Sequence, residues 1–288
     1  MSLPPPYAYP HPGPPLDRPE LPEGVPSTPA WPPWTAPVAL VAGFAMALVG
    51  AILLAVLATI GGYGINDQPP GVTIAATVVQ DLALVGAAVV FARMTTRPRP
   101  ADFGLRRVSL RPAAKWMAIG WGVFFTFSAI WAAVLNLDQT DDLPKELGAD
   151  KNHVAALAAV AVLVCVVAPI CEELFFRGYF FTALRNWHGT WLAVVLTGVV
   201  FGGIHAGSAP AGFLVPLMVL GSALCVIYWK TGSLLPCIAL HALNNALAFG
   251  VSQHWGWEVP LLMVGALAAV WAIIAPVLRA TSSVSVTG

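Results

Sequence analysis

The sequence predicts an all-α fold, a polytopic transmembrane bundle of about eight spans behind a proline-rich N-terminal tail. Three observations carry that expectation. Of 288 residues, 58% are hydrophobic and only 10% are charged, against roughly 25% charged in an ordinary soluble domain. So few charges cannot solvate a surface of this size, so much of it must face lipid. Apolar runs near the ~20 residues needed to cross a ~30 Å hydrocarbon core recur eight times. Lys and Arg, finally, are spread unevenly between the connections, as topology requires. Fourteen basic residues balance fourteen acidic ones. A neutral, charge-poor chain has no electrostatic footprint for nucleic acid, which is excluded as a partner.

Residues 1–35 hold 13 of the 26 prolines. Proline fixes φ and removes a donor, so this stretch is expected to be a disordered tail, dispensable for the fold. No basic region followed by an apolar core marks it as a signal peptide. Trp31 and Trp34 just precede the first apolar run, where interfacial-belt residues belong. The runs fall at about 36–60, 71–92, 112–135, 153–184, 190–208, 210–229, 233–250 and 259–278. The seventh is short. The fourth, at 32 residues, would be ~48 Å long, so it must tilt, bend at Pro169 or run along the interface. Runs five to seven have very short connections and should be antiparallel neighbours. The membrane domain is thus 36–280, with a core at about 153–250, and 281–288 form a C-terminal tail.

Orientation follows from the basic residues. Arg93, Arg97, Arg99, Arg106, Arg107, Arg111 and Lys115 cluster around the second connection, which is therefore cytoplasmic. Alternation puts Arg18, Arg185, Lys230 and Arg279 on the same side. Only Lys145 and Lys151 fall opposite, in a loop with Asp138, Asp141, Asp142, Glu146 and Asp150. The expectation is a multi-pass protein of the plasma membrane with both termini cytoplasmic. Cys165, Cys171, Cys225 and Cys237 lie in apolar runs without metal-ligand spacing and read as buried thiols.

Ionisable groups inside spans cost at least ~2.5–3.5 kcal/mol each at the bilayer centre for Asp, Lys or Arg. Asp81, Glu172, Glu173, Arg177, His205 and His241 are the offenders, with the amides Gln80, Asn244 and Asn245. Glu173 and Arg177 are four apart, acid first, and can pair on one helix face. Glu172 points about 100° away and has no local partner, which suits a general base. Phe201 and His205 share a face, and Gly198/Gly202 and Gly203/Gly207 form two overlapping GxxxG patterns that allow close helix approach. His241 and Asn245 share a face as well. Together these residues offer a base, a second water-activating or metal-binding group, and oxyanion donors. Counted along straight helices, Glu172 and His205 lie at different depths, so convergence needs the fourth segment to extend or tilt.

The ordered motifs EExxxR (Glu172, Glu173, Arg177), FxxxH (Phe201, His205) and HxxxN (His241, Asn245) resemble those of the CAAX-protease and bacteriocin-processing (CPBP) family of intramembrane metalloproteases, related to the Ras-converting CAAX endopeptidase. The likeness covers about 153–250. It implies an intramembrane endopeptidase acting on a membrane protein or lipidated peptide within the lipid bilayer. By that resemblance Glu172 and His205 activate water, His241 and Asn245 stabilise the oxyanion, and Glu173 and Arg177 support them. A zinc version would use Glu172, His205 and His241 with an open fourth position; one Zn²⁺ and no metal both stay open. Neither HExxH nor GxGD occurs, and Gly221-Ser222 opposite His241 lacks a rhomboid-type context. Two other classes compete: a non-catalytic immunity or scaffold protein of the same fold, and a transporter using Gln80-Asp81.

Overall fold

A computed structural model of the chain describes residues 29–65, 67–136 and 154–283. Among these the chain forms eight helices and no strand: α1 (Thr35–Ile60), α2 (Pro70–Arg93), α3 (Leu110–Leu135), α4 (Val154–His188), α5 (Thr190–Gly203), α6 (Leu214–Thr231), α7 (Leu235–Ser252) and α8 (Glu258–Ser283). Seven are long and apolar enough to cross a membrane; α5, at 14 residues, is not. The chain is a multi-pass membrane protein. Leu57, Ile60, Val134 and Val264 are among the many large apolar side chains left exposed, which is what a lipid-facing surface requires. Only 6% of the most apolar window of α3 is buried, against 61% for α7. α7 is therefore the central helix and α3 a peripheral one. The expected loop at 137–153, most of the tail (1–28) and the last residues (284–288) lie outside the described residues. α8 runs to Ser283, a little past the expected start of the C-terminal tail.

α4 does not break at Pro169. It continues for 35 residues by switching register, with π-helical stretches at Leu163–Val167 and Leu174–Phe181. Pro169 has no N–H to give and its ring crowds the carbonyl four residues back. The turn before it widens instead, and Ala168 N–H donates to Leu163 O, five residues back. Such π turns often accompany functional sites.

The short helix is the fifth, and its reach corrects the expectation of a span over 190–208. Gly202-Gly203 loosen its end. Gly207 takes φ +98° and Pro210 cannot continue a helix, so the chain turns after Gly203 and makes a 3-10 turn at Ala211–Phe213 before α6. Of the two GxxxG patterns only Gly198/Gly202 packs. A Cβ on Gly202 would come 2.6 Å from Leu214 O and would overlap Met218, while Gly203 and Gly207 face open space. Gly221 of α6 meets Gly198 Cα, at 3.1 Å from its own would-be Cβ. The α5–α6 crossing is thus close enough to bring main chain against main chain.

The boundary of the tail also needs correcting. Trp31 is not an interfacial residue: it is 1% exposed, with ring centroids 5.1 Å from those of both Phe103 and Tyr179. Asn186 Nδ2 donates to Pro29 O and Trp31 O at 3.1 and 3.0 Å. Proline excludes regular structure here but not docking. Its carbonyls still accept, and an aromatic side chain supplies the buried area that holds the segment in place.

Candidate active site

α4 and α5 form a hairpin around Gly189, which takes φ +85°. Glu172 lies 16 residues before His188 and His205 15 residues after Thr190. At 1.5 Å per residue both sit ~22–24 Å from the same turn. Extension of α4 to His188, past the expected 184, brings the two to a similar depth.

Helical periodicity puts Glu173 and Arg177 on one face of α4, both fully buried. Arg177 Nη1 donates to Glu173 Oε1 at 2.7 Å and Nη2 to Gly221 O at 3.0 Å. Its guanidinium lies 4.4 Å from the Phe201 ring centroid, a cation–π contact. α7 delivers His241 to the same carboxylate. His241 Nδ1–H donates to Glu173 Oε1 at 2.8 Å, which turns Nε2 toward Glu172. That nitrogen is 3.9 Å from Glu172 Oε2, too long for a direct hydrogen bond and a separation one water can bridge. Glu172 Oε2 is buried and has no hydrogen-bond partner.

His205 sits in the turn after α5, with Nδ1–H donating to Phe201 O at 2.7 Å. In the neutral ring this bond leaves the Nε2 lone pair free. Phe201 is the common platform: its ring centroid is 5.1 Å from that of His205 and 5.7 Å from that of His241. Asn245 Nδ2 donates one N–H to Val164 O at 2.9 Å and keeps a second. Val164 is the residue five before Pro169, so no main-chain N–H of the π register reaches its carbonyl. A cavity of about 400 Å³ opens beside these groups, lined by His205, His241, Asn244, Asn245, Phe124 and Phe201 among others.

The structure therefore brings His205, His241 and Asn245 to one cavity and joins Glu173, Arg177 and His241 in one network. Glu172 is set back from the cavity wall and meets it through His241; no contact links it to His205 among the described residues. For Asp81 the sequence offered a transport role beside a contact within the bundle. It lies on the face of α2 that packs on α4, 1% exposed, with Oδ2 unpartnered and within electrostatic reach of Glu172 and Cys171. A carboxylate in an apolar run was a visible signal, but which helix it would face was not. The support of Val164 O for Asn245 had only one sequence sign, the proline five residues on.

A metal site can be tested against this geometry. Two ligands of a tetrahedral zinc with bonds of about 2.0–2.1 Å stand about 3.4 Å apart, and the Glu172 Oε2 to His241 Nε2 separation approaches that. A third ligand is missing: among the described residues no three His, Cys, Asp or Glu side chains gather closely enough to hold an ion. The donor set as arranged does not fit a His₂Glu site.

Residues 154–247 match a family model, Rce1-like, described as type II CAAX prenyl endopeptidase. The match covers about a third of the chain, runs from the start of α4 into α7, and contains every residue of the three motifs. No curated protein and no solved structure matches the chain.

Proposed function

We propose that α4 to α7 form an Rce1-like CAAX endopeptidase core, a reading supported by the family match over 154–247, and that this protein is an intramembrane endopeptidase that hydrolyses a peptide bond of a membrane-associated protein or lipidated peptide. Glu172 takes a proton from the attacking water, with His205 Nε2 as the second acceptor, while the oxygen forms a bond to the scissile carbonyl carbon. Charge then develops on the carbonyl oxygen, where the second N–H of Asn245 and protonated His241 donate. Collapse breaks the C–N bond, and the proton held by Glu172 passes to the leaving nitrogen. Glu173 and Arg177 position His241 and touch no substrate.

The observation that carries this reading is the unpaired, buried Glu172 oxygen 3.9 Å from Nε2 of His241, which itself lines the cavity. Glu173 absorbs both Arg177 and the His241 Nδ1 proton, so Glu172 is left for chemistry. The same observation favours a variant in which the water lies between Glu172 and His241, and His205 with Asn245 faces the oxyanion. The proposal keeps both termini on the cytoplasmic side of the cell membrane; with seven long helices this requires α5 together with the turn after it to make the eighth crossing, and the Arg- and Lys-rich connection between α2 and α3 supports that side.

Incubation of purified protein with a prenylated CAAX-terminated peptide, followed by mass spectrometry, tests the reading. Cleavage by the wild type and its loss in Glu172→Gln, at an unchanged melting temperature, are expected. Full biological function retained by Glu172→Gln in cells would instead mark a non-catalytic member of the fold.

A further inference from the structure

The cavity wall holds one buried polar atom that neither the proposed chemistry nor an internal hydrogen bond uses. Three serines line it. Ser208 Oγ donates to His205 O at 3.2 Å and Ser252 Oγ to Phe249 O at 2.8 Å. Ser128 Oγ, on α3, is buried and has no hydrogen-bond partner. Several helix hydroxyls in this chain close on the carbonyl four residues back, Thr59 on Ala55, Thr77 on Thr73, Ser222 on Met218 and Thr231 on Ile227; Thr190 and Thr197 of α5 are, like Ser128, buried without a partner, but neither lines the cavity. Ser128 makes no such bond, although Phe124 O stands in that position. Buried polar groups are almost always paired. A hydroxyl held unpaired at the edge of a cavity, on a wall otherwise made by Phe124 and Phe125, is poised for a ligand's polar atom.

Its distance from the chemistry can be read along the helix. Trp121 Nε1 donates to Asn244 Oδ1 at 3.5 Å, which ties that level of α3 to the catalytic level of α7. Ser128 is seven residues further along α3, ~10 Å by helical rise. Val251 and Ser252, seven or eight residues beyond Asn244, line the same cavity, so the cavity extends along both helices. An extended peptide advances ~3.3 Å per residue. Resting on the protease reading above, we propose that Ser128 is a substrate-positioning residue. Its hydroxyl donates to a main-chain carbonyl of the bound peptide about three residues from the scissile bond, and Phe124 and Phe125 take the apolar side chain there.

The test uses full-length protein in detergent and a fluorescent farnesylated CAAX-terminated peptide. Ser128→Ala is expected to raise KM about 5- to 20-fold, the loss of one hydrogen bond, with kcat within about twofold and the melting temperature not lowered. Ser128→Thr, which keeps the hydroxyl, should restore KM. A peptide shortened to two residues on each side of the scissile bond should not distinguish Ser128→Ala from wild type. An unchanged KM, a loss confined to kcat, or an equal effect on the shortened peptide would overturn the assignment. If the wild type does not cleave the probe, the protease reading fails by itself, and anisotropy of the same peptide then decides for Ser128. Binding weakened by Ser128→Ala and rescued by Ser128→Thr supports the contact; unchanged or absent binding refutes it.

Discussion

Arg177 and Glu173 give the sharpest test of how the site is held. Both are fully buried, and three bonds converge on or leave this pair: Arg177 to Glu173, Arg177 to Gly221 O, and His241 to Glu173. Arg177→Met removes the cation and strands an acidic group, a change that costs ~3–5 kcal/mol in buried pairs. His241 stays bonded to Glu173, which places the expected loss toward the lower end of that range. In the double variant Glu173→Gln, Arg177→Met no unpaired charge remains, and the Gln oxygen can still accept from His241 Nδ1. What persists is the lost partner of Gly221 O, worth ~1–3 kcal/mol. The double variant should therefore be more stable than Arg177→Met alone. At roughly 2–4 °C per kcal/mol for a domain of this size, Arg177→Met should melt ~6–15 °C below wild type, with several degrees recovered in the double variant. Thermal unfolding in detergent of wild type, both single variants and the double variant closes the cycle. Strict additivity would refute the pairing and leave Arg177 free for substrate or Glu172.

Two further predictions concern packing. Removing residues 1–28 should leave the melting temperature and cleavage unchanged, whereas Trp31→Ala should destabilise by ~3–5 kcal/mol, because Trp31 packs on Phe103 and Tyr179; a silent Trp31→Ala in the same melt would refute the docking. Gly202→Ala must push α5 off α6, since its Cβ meets the main-chain atoms Leu214 O and Met218 N as well as the Met218 side chain. It should cost ~1–3 kcal/mol and lower kcat by displacing Phe201, while Gly203→Ala, facing open space, should change neither.

The seven long helices were legible in the sequence because lipid leaves so few ways to satisfy a backbone. Apolar length alone marks each one. The Glu173–Arg177 contact was legible for a similar reason, since a spacing of four on a helix fixes a shared face whatever surrounds it. Contacts between helices were not legible. Nothing in the local pattern says that His241, 68 residues on, donates its Nδ1–H to Glu173, or that Asp81 of α2 lies near Cys171 and Glu172. Trp31 misled because proline content predicts missing regular structure, and a segment without regular structure can still be anchored by one large side chain. α5 misled for another reason: hydropathy continues through Ile204, while the glycines around it end the helix by conformational freedom that hydropathy does not register.

The widened turn before Pro169 sets regularity against function in a single stretch of chain. The carbonyl of Val164 is available to Asn245 because the helix there is imperfect. An alanine at 169 would restore a main-chain donor, so that the turn could tighten and close its ladder. The resulting α4 would be a better helix by every local measure, and the amide proposed to meet the oxyanion would lose its tether. Sequence changes that idealise this segment should thus be gained at the expense of turnover, and the proline is where that compromise is written into the chain.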